Sequence, residues 1–337
     1  MEKVKLGRTG VSVTRTALGA LPIQRVAVEE GVRILRKAYD GGINFFDTAR
    51  SYTDSEEKMG AAFADVRDRI VIATKSGADT REGVLKHLET SLRNLRTDHV
   101  DILQLHNPAP LPDPNDASSS YGALLEAKKK GMTRFVGISN HRLDVTLQAV
   151  RSALYDTVQY PLSAVSDDKD LALIDECAKH DVGLIAMKAL AGGLISNARV
   201  AFAFLRQFAN VVPIWGVQRE RELTEFLALD ANPPKLDADM KTEIARYRAE
   251  LSGDFCRACG YCLPCPAEIP INMAARMSLL MRRAPVQGFL TEEWRKRMMR
   301  IEDCRDCGQC KERCPYGLDT PRLLRKNLED YKTFLKE

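Results

Sequence analysis

The chain has 337 residues, of which 45% are hydrophobic and 28% charged, as is typical of a globular protein with a sizeable core. The formal net charge of +4 is too small to indicate a nucleic-acid-binding protein. The sequence has neither a run of about 18 apolar residues nor an apolar signal core near its N-terminus, so we expect a cytoplasmic protein that does not enter a membrane.

Short β-rich runs alternate with amphipathic helical patterns over the first two thirds of the chain. We predict eight strands, at residues 14–20, 43–49, 69–75, 100–106, 134–140, 156–162, 182–188 and 210–216. A helix is predicted after the third strand, where Thr80 is a candidate cap. Eight β/α units favour a closed (β/α)8 TIM barrel over a doubly wound sheet, because no G-x-G-x-x-G motif follows the first strand. A proline turn and a polar helix follow, so we place the barrel at 1–235 and a second domain at 236–337.

Polar residues follow several of the predicted strands, where barrel enzymes place their chemistry. Asp47, Tyr52, Lys75 and His106 come from the ends of three successive predicted strands. A lysine ammonium lowers the pKa of a nearby phenol, an aspartate holds the ammonium, and a histidine polarises a carbonyl oxygen. Each residue alone fits a structural role as a cap, an ion-pair partner or a core histidine. The four together favour protonation of an oxygen while a hydride reaches its carbon.

The segments INFFDTARSYTDSEE, VIATKSG, VDILQLHN and VGISNH resemble, in that order, the aldo-keto reductases. The family pattern D-T-A-x-x-Y-G-x-S-E matches Asp47 to Glu56, with Thr53 in place of the glycine. The resemblance covers roughly residues 1–230 and implies that Tyr52 is the general acid, tuned by Asp47 and Lys75, while His106 orients the carbonyl. It also implies a small carbonyl or alcohol substrate and NAD(P)H as cofactor.

The same resemblance suggests the nucleotide site. Ser139, Asn140 and Gln159 match positions that hold the nicotinamide carboxamide. The other candidates for nucleotide binding are Lys188, Gly192, Gly193, Gly216, Arg219 and Arg221. The two adjacent glycines allow close backbone approach to a pyrophosphate, and the two arginines either grip a 2′-phosphate or are solvated helix charges.

The phosphate-binding loop of the family is altered in this chain. Gly216 and Val217 align with a lysine and a serine, and Glu222 aligns with an arginine. Because a carboxylate repels a 2′-phosphate, we predict that NADH binds at least as well as NADPH.

Eight of the nine cysteines form two clusters that each end in Cys-Pro. They are Cys256, Cys259, Cys262, Cys265 and Cys304, Cys307, Cys310, Cys314. The second cluster has the C-x2-C-x2-C-x3-C-P spacing of bacterial ferredoxins, and the first is one residue shorter. We predict two [4Fe–4S] clusters. The alternatives are a single cluster and tetrahedral zinc. The motifs are similar to ferredoxin-type tails in a subgroup of aldo-keto reductases.

The cross-over rule of dicluster ferredoxins assigns the ligands. It gives one cluster Cys256, Cys259, Cys262 and Cys314, and the other Cys304, Cys307, Cys310 and Cys265. Residues 271–284 and 291–303, between the motifs, are helical in pattern, which predicts a mainly helical dicluster ferredoxin-like domain. This insert is basic: either a solvated face or a docking surface for an acidic redox carrier.

We therefore expect an oxidoreductase of aldo-keto reductase type whose clusters transfer electrons. The alternatives are a barrel enzyme whose clusters only brace the fold, and an electron carrier with an inactive barrel. Since catalysis in a barrel occurs at the carboxyl ends of the strands, we also predict that the cysteine domain packs near that face.

Overall fold

The protein is described by a computed structural model that covers residues 1–251, 255–283 and 286–335. No helix in these ranges is long and apolar enough to cross a membrane.

The chain divides into two compact units. The first contains Met1–Ala189 and Asn197–Met240, and the second contains Leu190–Ser196 and Lys241–Glu337. The boundary that we placed after residue 235 remains a prediction. The polar helix predicted there is α9 (Ala238–Glu250), and residues 252–254 of the same stretch lie outside the described ranges.

The first unit begins with an antiparallel hairpin that the sequence patterns do not predict. Its strands are β1 (Lys3–Lys5) and β2 (Ser12–Thr14). Each has three residues, which is too short for a period-2 pattern of apolar and polar residues to emerge.

A closed barrel of eight parallel strands follows, so the predicted fold class is confirmed. The strands are β3 (Ala17–Gly19), β4 (Phe45–Asp47), β5 (Val71–Ser76), β6 (Val100–His106), β7 (Thr133–Ser139), β8 (Thr157–Pro161), β9 (Gly183–Met187) and β10 (Val211–Gly216). Neighbours in sequence pair in parallel, and β10 closes the barrel against β3. All eight lie within three residues of their predicted limits.

The barrel strands are followed by helices. These are α1 (Val28–Asp40), α2 (Ser55–Phe63), α3 (Arg81–Leu95), α4 (Ser120–Lys129), α5 (Leu143–Arg151), α6 (Asp168–Lys179), α7 (Ala198–Leu205) and α8 (Glu220–Ala231). Several begin at a side chain that accepts a hydrogen bond from a backbone N–H three residues later, namely Thr80, Ser119, Asp167 and Asn197. The predicted cap at Thr80 is therefore present, with Oγ1 at 3.2 Å from the nitrogen of Gly83.

The strands place an apolar layer and a polar layer inside the barrel. Phe45 and Ala73 belong to one buried apolar cluster. Since side chains alternate along a strand, Asp47 and Lys75, two residues further on, point to the same side. The polar layer thus lies at the carboxyl ends of the strands, as the sequence predicts.

The second unit is mainly helical in the part that the structure describes. Its helices are α10 (Ile271–Ala274), α11 (Met277–Met281), α12 (Glu292–Met299), α13 (Gln309–Glu312) and α14 (Thr320–Phe334). They bury a separate apolar core rich in methionine, which includes Met277, Met281, Met298, Leu324 and Tyr331. Both predicted helical stretches contain helix, although residue 284 of the first lies outside the described ranges.

Candidate active site and cysteine cavities

A buried ion pair occupies the centre of the polar layer. Lys75 Nζ lies 2.7 Å from both carboxylate oxygens of Asp47 and 2.6 Å from the carbonyl oxygen of Thr48. Three acceptors match the three hydrogens of an ammonium group, so the pair is satisfied without water. Burial raises the pKa of Asp47 and lowers the pKa of Lys75, and in each case the partner's charge opposes the effect of burial.

Tyr52 lies beside this ion pair. Lys75 Nζ is 5.4 Å from the centroid of its ring. The ring of His106 meets the ring of Tyr52 edge-on, with centroids 5.9 Å apart and an interplanar angle of 81°. The structure therefore brings together the four residues that the sequence analysis predicts as catalytic.

His106 is held as a neutral imidazole. Burial, followed by the positive charges of Lys75 and Lys188, lowers its pKa to about 3. The residue as a whole is half-buried. Its Nδ1 lies 3.5 Å from the hydroxyl of Ser51, a weak contact. If that hydroxyl donates, the proton of the ring is on Nε2.

Gln104 is a member of the polar layer that the sequence analysis does not predict. Its Nε2 donates to Oε1 of Gln159 at 3.0 Å and lies 3.4 Å from Oδ1 of Asp47. Gln159 also hydrogen-bonds to Asp47. Gln104 precedes His106 by two residues on the same strand, so the period-2 spacing predicts the same inward direction, but it does not indicate a functional role.

The other predicted nicotinamide residues are buried and already bonded. Asn140 Nδ2 donates to the carbonyl of Pro108 at 2.7 Å, and its Oδ1 accepts from the backbone N–H of Arg142 at 2.9 Å. Ser139 Oγ is 3.5 Å from the carbonyl of Leu105. Asn140 thus ties together the loops that follow β6 and β7.

The predicted phosphate residues belong to both units. Gly216 is exposed at the end of β10, and Arg219 and Arg221 are exposed at the start of α8. Glu222 Oε2 accepts hydrogen bonds from the backbone N–H groups of Gln218 at 2.8 Å and of Arg219 at 3.0 Å. Its carboxylate therefore caps the helix as well as bringing a negative charge to this loop.

The two remaining glycines lie in the segment Leu190–Ser196, which belongs to the second unit. The carbonyl of Gly192 accepts a hydrogen bond from Arg276 at 2.9 Å. A Cβ on Gly192 would lie 3.0 Å from Nη1 of Arg276, whereas a Cβ on Gly193 would meet nothing within 4 Å. Of the pair, Gly193 is the one with open space for a ligand.

The eight clustered cysteines line two cavities in the second unit. The 256 cavity is lined by Cys256, Cys259, Cys262 and Cys314, together with Arg257 and Tyr316. The 304 cavity is lined by five cysteines, namely Cys262, Cys265, Cys304, Cys307 and Cys310. The cavity linings include both sets of four thiols that the cross-over rule predicts, and Cys262 lines both cavities.

The cysteine thiols surround cavities, and a cubane cluster requires thiols placed around it in this way. Burial, followed by the neighbouring Cys256 and Cys259, raises the pKa of Cys262 to about 12. In the described ranges no three His, Cys, Asp or Glu side chains are placed to hold a metal ion. Thiols in the spacing of the two motifs are the donors that iron–sulfur clusters use.

The basic insert is extensively ion-paired. Lys296 pairs with Glu292, Arg297 with Glu293 and Arg300 with Glu268, at distances of 2.7, 2.6 and 3.1 Å. The positive charge of this surface is therefore largely compensated, which favours the solvated-face interpretation.

Comparisons with known proteins agree with this architecture. The aldo/keto reductase family profile matches residues 16–203, and the profile of the 4Fe-4S dicluster domain matches residues 255–319. The two matches describe an oxidoreductase barrel followed in the chain by an iron–sulfur domain. The chain belongs to the aldo/keto reductase family and carries a C-terminal 4Fe–4S dicluster domain.

Among curated relatives, the chain is similar to L-galactose dehydrogenase of Arabidopsis thaliana. The two are 33% identical over 211 residues, which cover 57% of this chain and 66%, just under two thirds, of the relative. The chain is also 30% identical over 234 residues to the methylglyoxal reductase DkgB of Salmonella typhimurium, covering 63% of this chain and 85% of the relative.

Solved structures share the fold. An aldo-keto reductase from Bacillus halodurans in its holo form matches with a TM-score of 0.65 at 20% identity. The match covers 73% of this chain and 96% of the Bacillus chain. An aldo/keto reductase from Klebsiella pneumoniae in complex with NADP and acetate has a TM-score of 0.62 at 23% identity, with coverages of 73% and 95%.

Proposed function

We propose that this protein is an NAD(P)H-dependent oxidoreductase of aldo-keto reductase type that interconverts a small carbonyl compound and its alcohol, and that two [4Fe–4S] clusters connect it to one-electron carriers. The observation that carries the proposal is the Asp47–Lys75 ion pair, whose ammonium nitrogen lies 5.4 Å from the centroid of the Tyr52 ring. We place the enzyme in a reducing compartment such as the cytoplasm, where thiol clusters hold metal.

A bound nicotinamide would supply a hydride to the carbonyl carbon or take one from the alcohol carbon, and each bound cluster would carry one electron at a time. Tyr52 donates its phenolic proton to the carbonyl oxygen as the carbon is reduced, so that carbonyl, hydride and proton together give the alcohol. The tyrosinate that remains is stabilised by the ammonium of Lys75, which Asp47 holds in position. Because Tyr52 is half-buried, solvent can return the proton.

His106 acts on the same carbonyl oxygen without changing its charge. When the Ser51 hydroxyl donates to Nδ1, the ring hydrogen is on Nε2, which can then donate to the oxygen and align it with the Tyr52 hydroxyl. A neutral donor avoids placing a second cation beside Lys75. Proton donation is thereby left to Tyr52.

For the nucleotide, Gln159 and Gly193 are the predicted residues with the most direct support. Gln159 is fixed by Gln104 and by Asp47, so it links the proposed nicotinamide position to the ion pair. Gly193 has open space beside it. The remaining predicted nucleotide residues are proposed on the family resemblance.

The two cavities support the two clusters. Cys256, Cys259, Cys262 and Cys314 would hold one, and Cys265, Cys304, Cys307 and Cys310 the other. Each hydride corresponds to two electrons, so two one-electron sites suit exchange with a carrier, for which an acidic redox protein remains a candidate. The intact Asp47–Lys75 pair beside Tyr52 argues against the alternative of a carrier with an inactive barrel.

The test of catalysis is Tyr52→Phe, which removes the proton and keeps the ring. We expect carbonyl reduction to fall by ~10² to 10⁴, with nucleotide affinity unchanged. Turnover would be measured on a panel of small aldehydes that includes methylglyoxal, the compound named for one relative. Nucleotide binding would be measured by fluorescence titration.

The matched control is Tyr121→Phe. Tyr121 is a buried tyrosine of α4 whose hydroxyl bonds to the carbonyl of Leu154 at 3.3 Å, outside the polar layer. We expect this variant to retain activity. A Tyr52→Phe protein as active as the Tyr121→Phe protein would refute the assignment.

A further inference from the structure

Glu56 is a buried carboxylate for which the proposed reaction has no use. It lies in the first turn of α2, after Tyr52 in the chain, and only 1% of its surface is exposed. Its Oε1 accepts a hydrogen bond from Thr74 Oγ1 at 2.8 Å, and its Oε2 pairs with Nη1 of Arg50 and lies 3.4 Å from Nδ2 of Asn94. Because a buried carboxylate is costly unless it is paired and hydrogen-bonded, these donors are what make its burial possible.

Arg50 connects this carboxylate to the loop that carries Tyr52. Its backbone N–H donates to the carbonyl of Lys75 at 3.0 Å, on the neighbouring strand β5. Its side chain reaches past Tyr52: Nη1 donates to Glu56, and Nη2 lies 3.4 Å from the carbonyl oxygen of Thr53. Arg50 is therefore anchored both before and after Tyr52 along the chain.

The backbone of this loop is strained where the guanidinium contacts it. Thr53 has a φ of 36°, in the left-handed region that a β-branched residue adopts at a cost. Tight turns surround the tyrosine, since Tyr52 N–H donates to the carbonyl of Ala49 at 3.0 Å and Ser55 N–H donates to the carbonyl of Tyr52 at 2.8 Å. A strained turn persists only where its surroundings hold it, so the contact from Arg50 bears on where Tyr52 is placed.

The other oxygen of the Glu56 carboxylate is fixed to the strand that carries Lys75. Thr74 is fully buried and immediately precedes Lys75 in β5. Since side chains alternate along a strand, Thr74 points to the side opposite Lys75, where its hydroxyl meets Glu56. The start of α2 is thereby bonded to the residue next to the ammonium group.

We infer that Glu56 is a positioning residue for the proposed reaction. Through Arg50 and Thr74, its carboxylate holds the Tyr52 ring at a fixed distance from the buried ammonium group. This inference rests on the proposed function, in which Tyr52 donates the proton and Lys75 stabilises the resulting anion. A misplacement of about 1 Å can cost about 100-fold in rate, so loss of this contact should lower kcat.

The test is Glu56→Gln in the full-length protein, which keeps the shape of the side chain and removes the charge that Arg50 binds. We expect kcat for aldehyde reduction to fall by roughly ten- to hundredfold. KM for the aldehyde and the dissociation constant for the nucleotide should remain near their wild-type values. Arg50→Met should reproduce the loss, and Arg50→Lys, which keeps a cation beside the carboxylate, should recover part of it.

The matched control is Asp101→Asn. Asp101 is also a buried carboxylate, 2% exposed, and it pairs with Arg67 at 2.9 Å and with Arg134 at 2.7 Å. It is the second residue of β6, whereas His106 is the last, so it lies at the end of the barrel away from the polar layer. This variant should lose thermal stability, as Glu56→Gln should, but keep kcat near wild type.

A double-mutant cycle separates positioning from a general loss of structure. In a Tyr52→Phe background no phenolic proton is left to position, so Glu56→Gln should lower the residual rate no more than Asp101→Asn does. If Glu56→Gln folds poorly, the same cycle is run with Arg50→Met. A wild-type kcat in Glu56→Gln, or an equal fall with and without the Tyr52 hydroxyl, would overturn the inference.

The Tyr52→Phe protein also distinguishes this failure from failure of the proposed function. Full activity of Tyr52→Phe would refute the proposed function itself. A severe loss in Tyr52→Phe beside an unchanged kcat in Glu56→Gln would refute only the positioning role of Glu56.

Discussion

Asp47 and Lys75 form an ion pair whose partners could be named from the sequence, because residues two apart on a strand point to the same side. Phe45 and Ala73 mark the inward direction, and the two charged residues follow them. Gln104 obeys the same rule on β6 but was missed, because a lone glutamine in a strand carries no chemical signal until its partners are known. Spacing in the sequence therefore predicted where the polar layer lies. Only the structure shows which of its residues hydrogen-bond to one another across neighbouring strands.

The neutral state of His106 predicts a particular pH dependence. Because its pKa is lowered to about 3, the imidazole stays uncharged throughout the assay range. We expect kcat/KM for carbonyl reduction to show no loss from His106 protonation as the pH falls from 8 to 5. An unperturbed histidine would protonate near pH 6.5 within that window.

The measurement is a pH–rate profile of wild type beside His106→Gln, which keeps a neutral hydrogen-bond donor. Both profiles should have the same shape between these limits, with a lower rate for the variant. An inflection near pH 6.5 that is present in wild type and lost in His106→Gln would contradict the neutral assignment.

At the scale of elements, the eight strands and α3 were predictable because each carries a period or a cap that local sequence determines. The structure at the start of α8 was harder to predict from the sequence. Its alignment with the family indicated only that a carboxylate replaces a cation, whereas the structure shows Glu222 accepting hydrogen bonds from the backbone of Gln218 and Arg219. Those two N–H groups are consequently already bonded and do not face a phosphate.

The capping carboxylate of Glu222 leads to a prediction about the preference for NADH or NADPH. Glu222→Gln keeps a side-chain acceptor at the same position and removes the negative charge, so the helix should still form. We expect the affinity for NADPH to rise relative to NADH by roughly three- to tenfold, because a like charge near the 2′-phosphate is lost. Dissociation constants for both nucleotides would be measured at low and high salt.

Glu225→Gln is the control, since Glu225 is an exposed residue of the same helix. Its nucleotide ratio should match that of the wild type. A wild-type protein that already strongly prefers NADPH would show that Arg219 or Arg221 binds the phosphate in spite of Glu222.

At the scale of the whole molecule, the clusters either serve electron transfer or brace the second unit, and Cys262 is the residue that distinguishes the two. It lines both cavities, and its thiol is influenced by Cys256 and Cys259 on one side and Cys310 on the other. The assignment of ligands by the cross-over rule stays a prediction, and the cavity linings are consistent with it. The position of Cys262 beside both cavities could not be predicted, because it depends on how the helices of the second unit pack.

Cys262→Ser should therefore separate the two kinds of turnover. Serine removes a soft thiolate ligand from the 256 cavity while changing the side chain by one atom, so the cluster there is lost or altered. Under the electron-transfer hypothesis, reduction of benzyl viologen by NAD(P)H should fall at least tenfold more than hydride transfer from NAD(P)H to an aldehyde. The barrel carries Asp47, Tyr52, Lys75 and His106 within its own unit, so the hydride reaction does not need the cluster.

The control variant is Cys177→Ala. Cys177 is a buried cysteine of α6 outside both cavities, so this variant tests for the loss of a thiol and should leave both rates near wild type. If both activities of Cys262→Ser decline together with the thermal stability of the second unit, the clusters brace the fold and the electron-transfer role is refuted.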